Sequence, residues 1–216
     1  RQLDQGLWVI DYPEHMAVGL RLGTRTTLVE TEAGLWVHSP GPPGQHLQNF
    51  PAPFAFVAPN SMHHLYFAQA HERYPQARGW APAELLVKRP DLRAERLSGP
   101  QTSAIDCLAL GGLGGLGEWV FLHRASRTLI VTDLVFHLLE SPDFWTRLVM
   151  RLNGVYGKLG PSRIFRRLMV KNQAELALSM RQMLEWDFDR VVMAHGEVLE
   201  TGGKEAIRRA FAWLPL

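Results

Sequence analysis

The chain has 216 residues, of which 46% are hydrophobic and 20% are charged, and its formal net charge is +2. This composition excludes a disordered, collagen-like or coiled-coil chain, and the small net charge argues against strong non-specific binding of nucleic acid. The single cysteine, Cys107, excludes a scaffold held by internal disulfides, and the length predicts one domain over residues 1–216.

The first third of the chain predicts β-structure. Short runs rich in β-forming residues, at 7–10, 17–20, 26–29 and 35–37, predict a meander of antiparallel strands. The continuous apolar run at 54–58 is typical of a strand that is buried on both faces.

Helices and strands alternate in the rest of the chain. Helices are predicted at 64–74 and 82–88, from Ser141-Pro142-Asp143 onward, around 176–184 and at 204–213. Strands are predicted at 105–110, 118–123, 128–132 and 190–194, with a glycine-rich loop at 111–117. The order of these elements predicts an α/β fold in which two sheets pack together with helices outside.

No apolar run reaches the roughly 20 residues that a bilayer span requires. The first residues also lack the basic-then-apolar pattern of a signal peptide. We therefore expect a soluble protein without a membrane span, located in the cytoplasm.

Nine histidines accompany the one cysteine, and three predicted strands end next to metal-ligating side chains. His63 and His64 follow the strand at 54–58, where a strand-to-helix turn allows both to face one point. Asp133 and His195 each end an apolar strand, and a carboxylate there is costly to bury unless it is paired or bound to a metal. Each residue alone has an ordinary structural explanation, as a helix cap, a turn acid or a hydrogen-bonded histidine. Together they predict one metal site.

Four stretches of sequence carry a resemblance to a known superfamily. They are Leu-Trp-Val-His-Ser-Pro at 35–40, Ala-Pro-Asn at 58–60 followed by the histidine pair, the hairpin sequence at 120–133, and Trp-Asp-Phe-Asp-Arg-Val-Val-Met-Ala-His-Gly at 186–196. With them the whole chain resembles the metallo-β-lactamase superfamily, and most of all a bacterial branch described only as a domain of unknown function. The resemblance implies an αββα sandwich of two mixed β-sheets, with a site at the edge between the sheets. It also implies, commonly, a hydrolase that uses one or two zinc or iron ions.

The chain departs from the signature loop of that superfamily, which reads His-x-His-x-Asp-His. Aligned on the last histidine, this sequence has Pro59 and Ser61 in place of the first two histidines and His63 in place of the aspartate. A further histidine of the superfamily, expected around Gly114, is missing. One of the two metal positions has therefore lost all three of its histidines.

The other metal position retains a complete candidate set, which consists of His63, His64, Asp133 and His195. Three imidazoles and one carboxylate imply a mononuclear site with one divalent metal ion, zinc in preference to iron. The replaced aspartate normally orients an attacking hydroxide, so the usual route of hydrolysis lacks that residue.

Glu118 and His38 are the candidates for proton transfer beside the lost position. Glu118 begins the hairpin that leads to Asp133, and we interpret it as a general base or an extra ligand. His38 replaces the acid that usually ends the corresponding strand in the superfamily, and we interpret it as a partner that supports the ligands. The alternatives are a surface loop acid for Glu118 and a hydrogen-bonded strand end for His38.

Basic and aromatic residues are interleaved at 144–171. Such a segment is compatible with binding to nucleic acid or to an anionic membrane. We favour a lid over the site or the surface of a homodimer, because acidic residues elsewhere offset the charge of this segment.

The leading hypothesis for function is a metal-dependent hydrolase that uses metal-activated water on a small-molecule ester, thioester, lactone or phosphoester. Two alternatives stay open. One is a mononuclear iron redox enzyme, since imidazoles and a carboxylate also suit iron. The other is a non-catalytic member that binds a metal or a ligand.

Overall fold

The computed structural model describes residues 1–13, 16–17, 19–42, 45–140 and 143–216. Two large β-sheets pack face to face, and helices cover the outer side of each sheet. This arrangement confirms the expected αββα sandwich with two mixed sheets.

The strands of the described residues are short, and only a few exceed five residues. In chain order they are β1 Gln2–Asp4, β2 Leu7–Tyr12, β3 Met16–Ala17, β4 Leu20–Arg21, β5 Thr24–Thr31, β6 Gly34–His38, β7 Pro53–Val57, β8 Arg78–Ala81, β9 Glu95–Arg96, β10 Ile105–Ala109, β11 Trp119–His123, β12 Thr128–Ile130 and β13 Arg190–Val192.

The first sheet has the spatial order β1-β2-β5-β6-β7-β8-β9, and the second has the order β10-β11-β12-β13. In the first sheet, β1, β2, β5 and β6 pair antiparallel, as the predicted meander requires, and β6 to β9 pair parallel. In the second sheet, β10, β11 and β12 pair antiparallel, and β13 adds parallel to β12. Each sheet therefore contains a pair of parallel strands whose C-terminal ends lie side by side.

Helices connect these strands on the outside of the sandwich. The α-helices are α1 Phe67–Arg73, α2 Ala83–Lys88, α3 Phe144–Leu152, α4 Gln173–Glu185 and α5 Gly203–Ala210. Short 3₁₀ turns lie at Gln45–Asn49 and Gly114–Leu116, and a π-helix lies at Phe165–Met169. Among the described residues, none of these helices has the length and apolar character that crossing a bilayer demands.

The side chains of β6 show how the layers are assembled. Trp36 points between the two sheets, where its ring meets that of Phe121 on β11 at a centroid distance of 5.2 Å. Leu35 and Val37 point to the other side and pack in the cluster that includes residues of α1 and α2. Because successive side chains of a strand face opposite sides, a strand that is apolar throughout is buried on both faces.

Two predicted elements differ in the structure. The strand predicted at 17–20 is replaced by the two-residue strands β3 and β4, and Val18 lies outside the described residues. The helix predicted from residue 64 begins only at Phe67, because residues 61–66 form bends and turns. β8 was not predicted, since Arg78 and Gly79 interrupt its apolar pattern.

The helix start predicted at 141–143 lies partly outside the described residues, which exclude Ser141 and Pro142. Asp143 is described. Its carboxylate accepts a hydrogen bond of 2.6 Å from the backbone N–H of Thr146, so it caps the N-terminus of α3.

Candidate metal centre

The candidate site lies at one edge of the sandwich, where the loops after four strands converge. β6 and β7 run parallel in the first sheet, and β12 and β13 run parallel in the second. Parallel strands bring the loops that follow them to the same edge of a sheet. His63, after β7, contacts Asp133, after β12, so the two edges meet at one place.

Three ligand-type side chains come together at this edge. One ligand atom from each of His63, Asp133 and His195 lies within 4.8 Å of the other two. The Nε2 of His63 is 3.5 Å from the Oδ2 of Asp133, and the Nε2 of His195 is 3.5 Å from its Oδ1. Both imidazoles therefore direct the same ring nitrogen at one carboxylate.

His195 is fixed in one tautomer by the backbone. Its Nδ1 lies 2.8 Å from the carbonyl oxygen of Gly23, which can only accept a hydrogen bond. Nδ1 therefore carries a proton, and Nε2 is the ring nitrogen that faces Asp133. Phe136 stacks on the ring, with centroids 5.2 Å apart and planes 9° from parallel.

Arg25, a buried residue of β5, holds the loop that carries His195. Its Nη1 donates to the carbonyl of Met193 at 2.8 Å, and its Nη2 donates to the carbonyl of Gly196 at 2.7 Å. Asp11 on β2 pairs with the Nε of the same guanidinium. The two hydrogen bonds to carbonyls fix the backbone on both sides of His195.

His63 is oriented from two directions. Its Nδ1 lies 3.0 Å from the hydroxyl of Ser39, which follows β6. Its backbone N–H donates to the Oδ1 of Asn60 at 2.8 Å. Ser39 has a φ of 52°, a left-handed conformation that is uncommon outside glycine, so the turn after β6 is held in a strained form beside the site.

Asn60 joins the loop of His63 to the loop of Asp133. Its Nδ2 donates to the Oδ2 of Asp133 at 2.8 Å and to the Oε2 of Glu118 at 2.6 Å. Its Oδ1 accepts the backbone N–H groups of Met62 and His63, each at 2.8 Å. The completely buried amide thus uses both of its ends within the site.

Glu118 is completely buried behind Asp133, which excludes the alternative of a surface loop acid. Its Oε1 accepts the backbone N–H groups of Thr132, Asp133 and Leu134 at 3.0, 3.0 and 3.3 Å. Burial and the negative charge of Asp133 raise the pKa of Glu118 to about 8, against the opposing effect of these hydrogen bonds. The carboxyl group therefore fixes the backbone that carries Asp133.

Asp133 remains ionised despite its burial. Burial opposes its charge, but the imidazoles of His63 and His195 outweigh this effect and hold the pKa of Asp133 well below its usual range. A carboxylate that is ionised and faces two ring nitrogens is the charge state that a divalent cation requires of its ligands.

His38 lies beneath the cluster at the end of β6. Its Nε2 is 3.4 Å from the hydroxyl of Thr132, the neighbour of Asp133. Its ring packs against Trp36 and Phe121 at centroid distances of 5.8 and 5.4 Å. Burial lowers the pKa of His38 to about 3, so this imidazole is neutral at neutral pH.

No known protein-family model matches the chain, and no curated protein matches it in sequence. Solved structures do match over almost the whole chain. A metallo-β-lactamase from Hirschia baltica is 10% identical, with a TM-score of 0.68 over 100% of this chain and 97% of that chain. A metallo-β-lactamase from Pontibacter korlensis is 10% identical, with a TM-score of 0.66 over 98% and 97%. The metallo-β-lactamase FIM-1 from Pseudomonas aeruginosa, in its mono-zinc form, is 12% identical, with a TM-score of 0.62 over 97% and 89%.

The chain has the metallo-β-lactamase fold. Identities near 10% establish this fold alone, so activity has to be argued from the site itself.

Pro59 and Ser61, which stand where the resemblance predicted lost histidines, have structural contacts. The carbonyl of Pro59 accepts a hydrogen bond of 2.9 Å from the backbone N–H of Trp119. The hydroxyl of Ser61 donates to the carbonyl of Gly115 at 2.9 Å. These hydrogen bonds tie the loop after β7 to the start of β11 and to the glycine-rich loop, and neither side chain is a strong metal ligand.

His64 does not join the cluster that the described residues form. Burial lowers the pKa of His64, and the cations Lys88 and Arg89 near α2 lower it further. His64 therefore lies near α2, and its buried Nδ1 has no hydrogen-bond partner among the described residues. Its assignment as a fourth ligand remains a prediction.

Sequence reasoning did not identify Asn60, Arg25 or Ser39 as parts of the site. Asn60 could have been identified from sequence, because it is an amide three residues after the end of the buried strand β7. Arg25 is a cation among the β-forming residues of β5, which is unusual in a strand that becomes buried. The left-handed backbone of Ser39 has no signal in the sequence, because serine is common in loops of every kind.

Proposed function

We propose that this chain is a metal-dependent hydrolase with one divalent metal ion, held by His63, Asp133 and His195. The observation that carries the proposal is the convergence of two imidazole Nε2 atoms and an ionised carboxylate at 3.5 Å separations. Each of these side chains is also held by a partner outside the cluster, as ligands of a metal commonly are.

The distances in the cluster fit a small divalent ion. Zinc binds imidazole nitrogen and carboxylate oxygen at about 2.0–2.2 Å, so tetrahedral ligands lie about 3.3–3.6 Å from each other. The two nitrogen-to-oxygen distances of 3.5 Å, one to each carboxylate oxygen of Asp133, agree with that spacing, and one ligand atom from each of the three residues lies within 4.8 Å of the other two. An imidazole whose Nδ1 donates a hydrogen bond to a carbonyl oxygen, as in His195, presents Nε2 as the ligand atom.

A mononuclear site is favoured over a dinuclear one. The signature positions at Pro59 and Ser61 offer no imidazole, and both residues have structural contacts. Within the part of the chain that the structure describes, His63, Asp133 and His195 form the one group of this kind. We propose zinc in preference to iron, because zinc is a borderline-soft ion that suits a set of two nitrogens and one oxygen.

A divalent ion at this position would act as a Lewis acid and lower the pKa of bound water towards about 7. The residues of the chain supply orientation around it. Asn60 fixes the Oδ2 of Asp133, and Glu118 fixes the backbone of the same residue. His38 supports the loop from beneath through Thr132.

Glu118 and His38 enter the proposal as positioning residues. An amide, that of Asn60, stands between the carboxyl of Glu118 and Asp133, and an amide is a poor relay for a proton. The His38 ring is buried and faces Thr132. The substrate we propose is a small ester, thioester, lactone or phosphoester, whose carbonyl or phosphoryl oxygen a Lewis acid polarises.

Metal content is the first test. Protein purified without added metal is analysed for transition metals, then stripped with a chelator and titrated with Zn²⁺ against a competing chelator. We expect one equivalent of zinc per chain in the wild type, and its loss in Asp133→Asn and His195→Asn. His123→Gln is the matched control, because His123 is also buried but bonds to Ser126 outside the cluster.

Two further experiments test the set of ligands and the reaction. Retention of zinc by His64→Ala supports the three-residue set, whereas its loss adds His64 as a ligand. Turnover of an ester, lactone or phosphoester by the zinc-loaded wild type, absent from Asp133→Asn, supports the hydrolase. A protein that retains no metal, or that retains iron and consumes oxygen, contradicts the proposal.

A further inference from the structure

Positive charge is concentrated in one stretch of the chain. Residues 144–174 contain no Asp or Glu, although the net charge of the whole chain is only +2. Their cations are Arg147, Arg151, Lys158, Arg163, Arg166, Arg167 and Lys171. The remainder of the chain is therefore net negative, and the stretch forms a separate basic region.

The helix α3 presents apolar side chains to solvent. Phe144, Trp145, Leu148 and Leu152 are all exposed, with 65% of Trp145 accessible. At about 100° per residue these four positions fall within an arc of about 100° on the helix. The buried residues Thr146 and Met150 lie on the opposite side of α3. The helix is thus apolar on the face that points away from the protein.

The segment that contains the π-helix Phe165–Met169 adjoins the end of α3 and adds exposed apolar residues. Ile164 and Leu168 are exposed, while Phe165 is buried in the core. The backbone N–H of Arg163 donates to the carbonyl of Asn153 at 3.0 Å, which joins the start of this segment to the end of α3. Six of the twelve large hydrophobic residues that are exposed in the described chain lie between residues 144 and 168. We call these residues, with the cations between them, the basic-apolar surface.

A basic cavity opens beside the basic-apolar surface. Its volume is about 500 Å³, and it lies between the end of α3, the π-helix and α5. Its lining includes Lys158, Arg163, Arg166 and Arg209, and no acidic residue of the described chain lines it. A cavity with this lining attracts a phosphate group, since guanidinium groups bind phosphate through two parallel hydrogen bonds.

We infer that the basic-apolar surface binds the surface of an anionic lipid bilayer. Exposed Trp, Phe and Leu side chains enter the boundary between headgroups and acyl chains, while the surrounding Arg and Lys side chains meet lipid phosphates. Trp145 provides the kind of ring that is enriched at this boundary. The basic cavity accommodates one headgroup phosphate. This inference is independent of the metal site and extends the function beyond hydrolysis.

The chemistry of the surface favours lipid over the two other occupants. Single-stranded nucleic acid binds by stacking bases on aromatic rings, but four of the six exposed apolar residues are the aliphatic Leu148, Leu152, Ile164 and Leu168. A symmetric dimer through this surface would bring its cations against the same cations of a second copy, which is repulsive. Acyl chains and phosphates complement both components of the surface at once.

Vesicle binding tests the inference. The full chain is sedimented with vesicles of phosphatidylcholine alone and with vesicles that also contain phosphatidylglycerol. We expect binding to the anionic vesicles only, and weaker binding as salt is raised, because exposed charges are screened. Equal binding to both compositions, or binding to neither, overturns the inference.

Variants separate the two components of the surface. Trp145→Ala is expected to lower partitioning about tenfold, since binding scales with buried apolar area. The double variant Arg163→Gln/Arg167→Gln is expected to lower it about 25-fold, at about fivefold for each cation. Val87→Ser is the control, because Val87 is 85% exposed on α2, outside this surface. If Val87→Ser reduces binding as much as Trp145→Ala does, or if Trp145→Ala instead dissolves a dimer of the wild type, the inference is wrong.

Discussion

A hydrogen bond of 2.8 Å joins the Nδ2 of Asn60 to the Oδ2 of Asp133, and it links the two loops that carry ligand-type residues. Asn60→Ala removes this bond together with the acceptor of the His63 backbone N–H. We expect zinc affinity to fall about 10–100-fold, as is usual when a partner of a metal ligand is lost. Titration against a competing chelator measures the change.

Asn60→Asp and Ser179→Ala make the experiment specific. Asn60→Asp retains an acceptor for the backbone of His63 but sets an oxygen against Glu118 and Asp133, so it should also weaken zinc binding. Ser179 bonds to Gly111 and Glu175 on the outer side of the second sheet, and Ser179→Ala should lower stability without changing zinc affinity. Unchanged affinity in both Asn60 variants would show that the amide does not position the ligands.

Arg25 offers a second test of how the site is held. Arg25→Met leaves the carbonyls of Met193 and Gly196 without this donor, and the buried bond to Met193 alone is worth about 1–3 kcal/mol. We expect a lower free energy of unfolding in urea and weaker zinc binding, because the freed backbone flanks His195. Arg78→Met, which breaks an exposed pair with Glu95, should change stability by about 1 kcal/mol or less. Equal losses in the two variants would contradict this role for Arg25.

The layers of the fold could be predicted from sequence, because the length and spacing of apolar runs indicate which faces of a strand or helix are buried. The continuous apolar run at 54–58 indicates a strand covered on both faces. In the structure Ala55 and Val57 pack between the sheets, and Phe56 packs in the cluster that includes residues of α1 and α2. The strand β8 was missed, because Arg78 and Gly79 break its pattern. The extended conformation of β8 depends on its parallel pairing with β7, and strand pairing cannot be read from a single sequence.

The residues of the site that follow predicted strands could be identified from sequence, whereas the path of the loops and the packing between segments could not. Asp133 and His195 directly follow the strands predicted at 128–132 and 190–194, which is a local signal. The choice between His63 and His64 depends on the path of the turn before α1, where one ring faces Asp133 and the other lies near Lys88. Burial of Glu118 likewise arises from packing of distant segments and has no local signature.

Gly196 is required by the turn that presents His195. Its φ is +93°, and a Cβ built on it overlaps the carbonyl of His137. Gly196→Ala should therefore shift the His195 loop, and both the unfolding midpoint and zinc affinity should fall. Gly157→Ala is the matched control, since Gly157 has a φ of +77° but open space around it. That variant should lose only the about 1–2 kcal/mol of left-handed backbone strain and bind zinc normally. Similar effects of both variants would assign the loss to backbone strain alone.

His71 makes the stability of the fold depend on pH. It is buried in α1, with its ring 5.4 Å from that of Phe56 and 4.9 Å from that of Phe67, and burial lowers its pKa below the ordinary 6.5. Above pH 6.5 the imidazole is neutral in both the folded and the unfolded chain. As the pH falls below 6.5, the unfolded chain binds the proton first, so the free energy of unfolding decreases.

Replacing His71 by Phe removes this titration and retains an aromatic ring among its neighbours. The difference in urea midpoint between pH values above and below 6.5 should therefore be smaller in His71→Phe than in the wild type. Phe67→Leu serves as the comparison, because it disturbs the same cluster without removing a titratable group. It should lower both midpoints and leave their difference unchanged. If His71→Phe retains the full difference, proton uptake at His71 is not the cause, and His38, whose pKa burial also lowers, becomes the residue to substitute next.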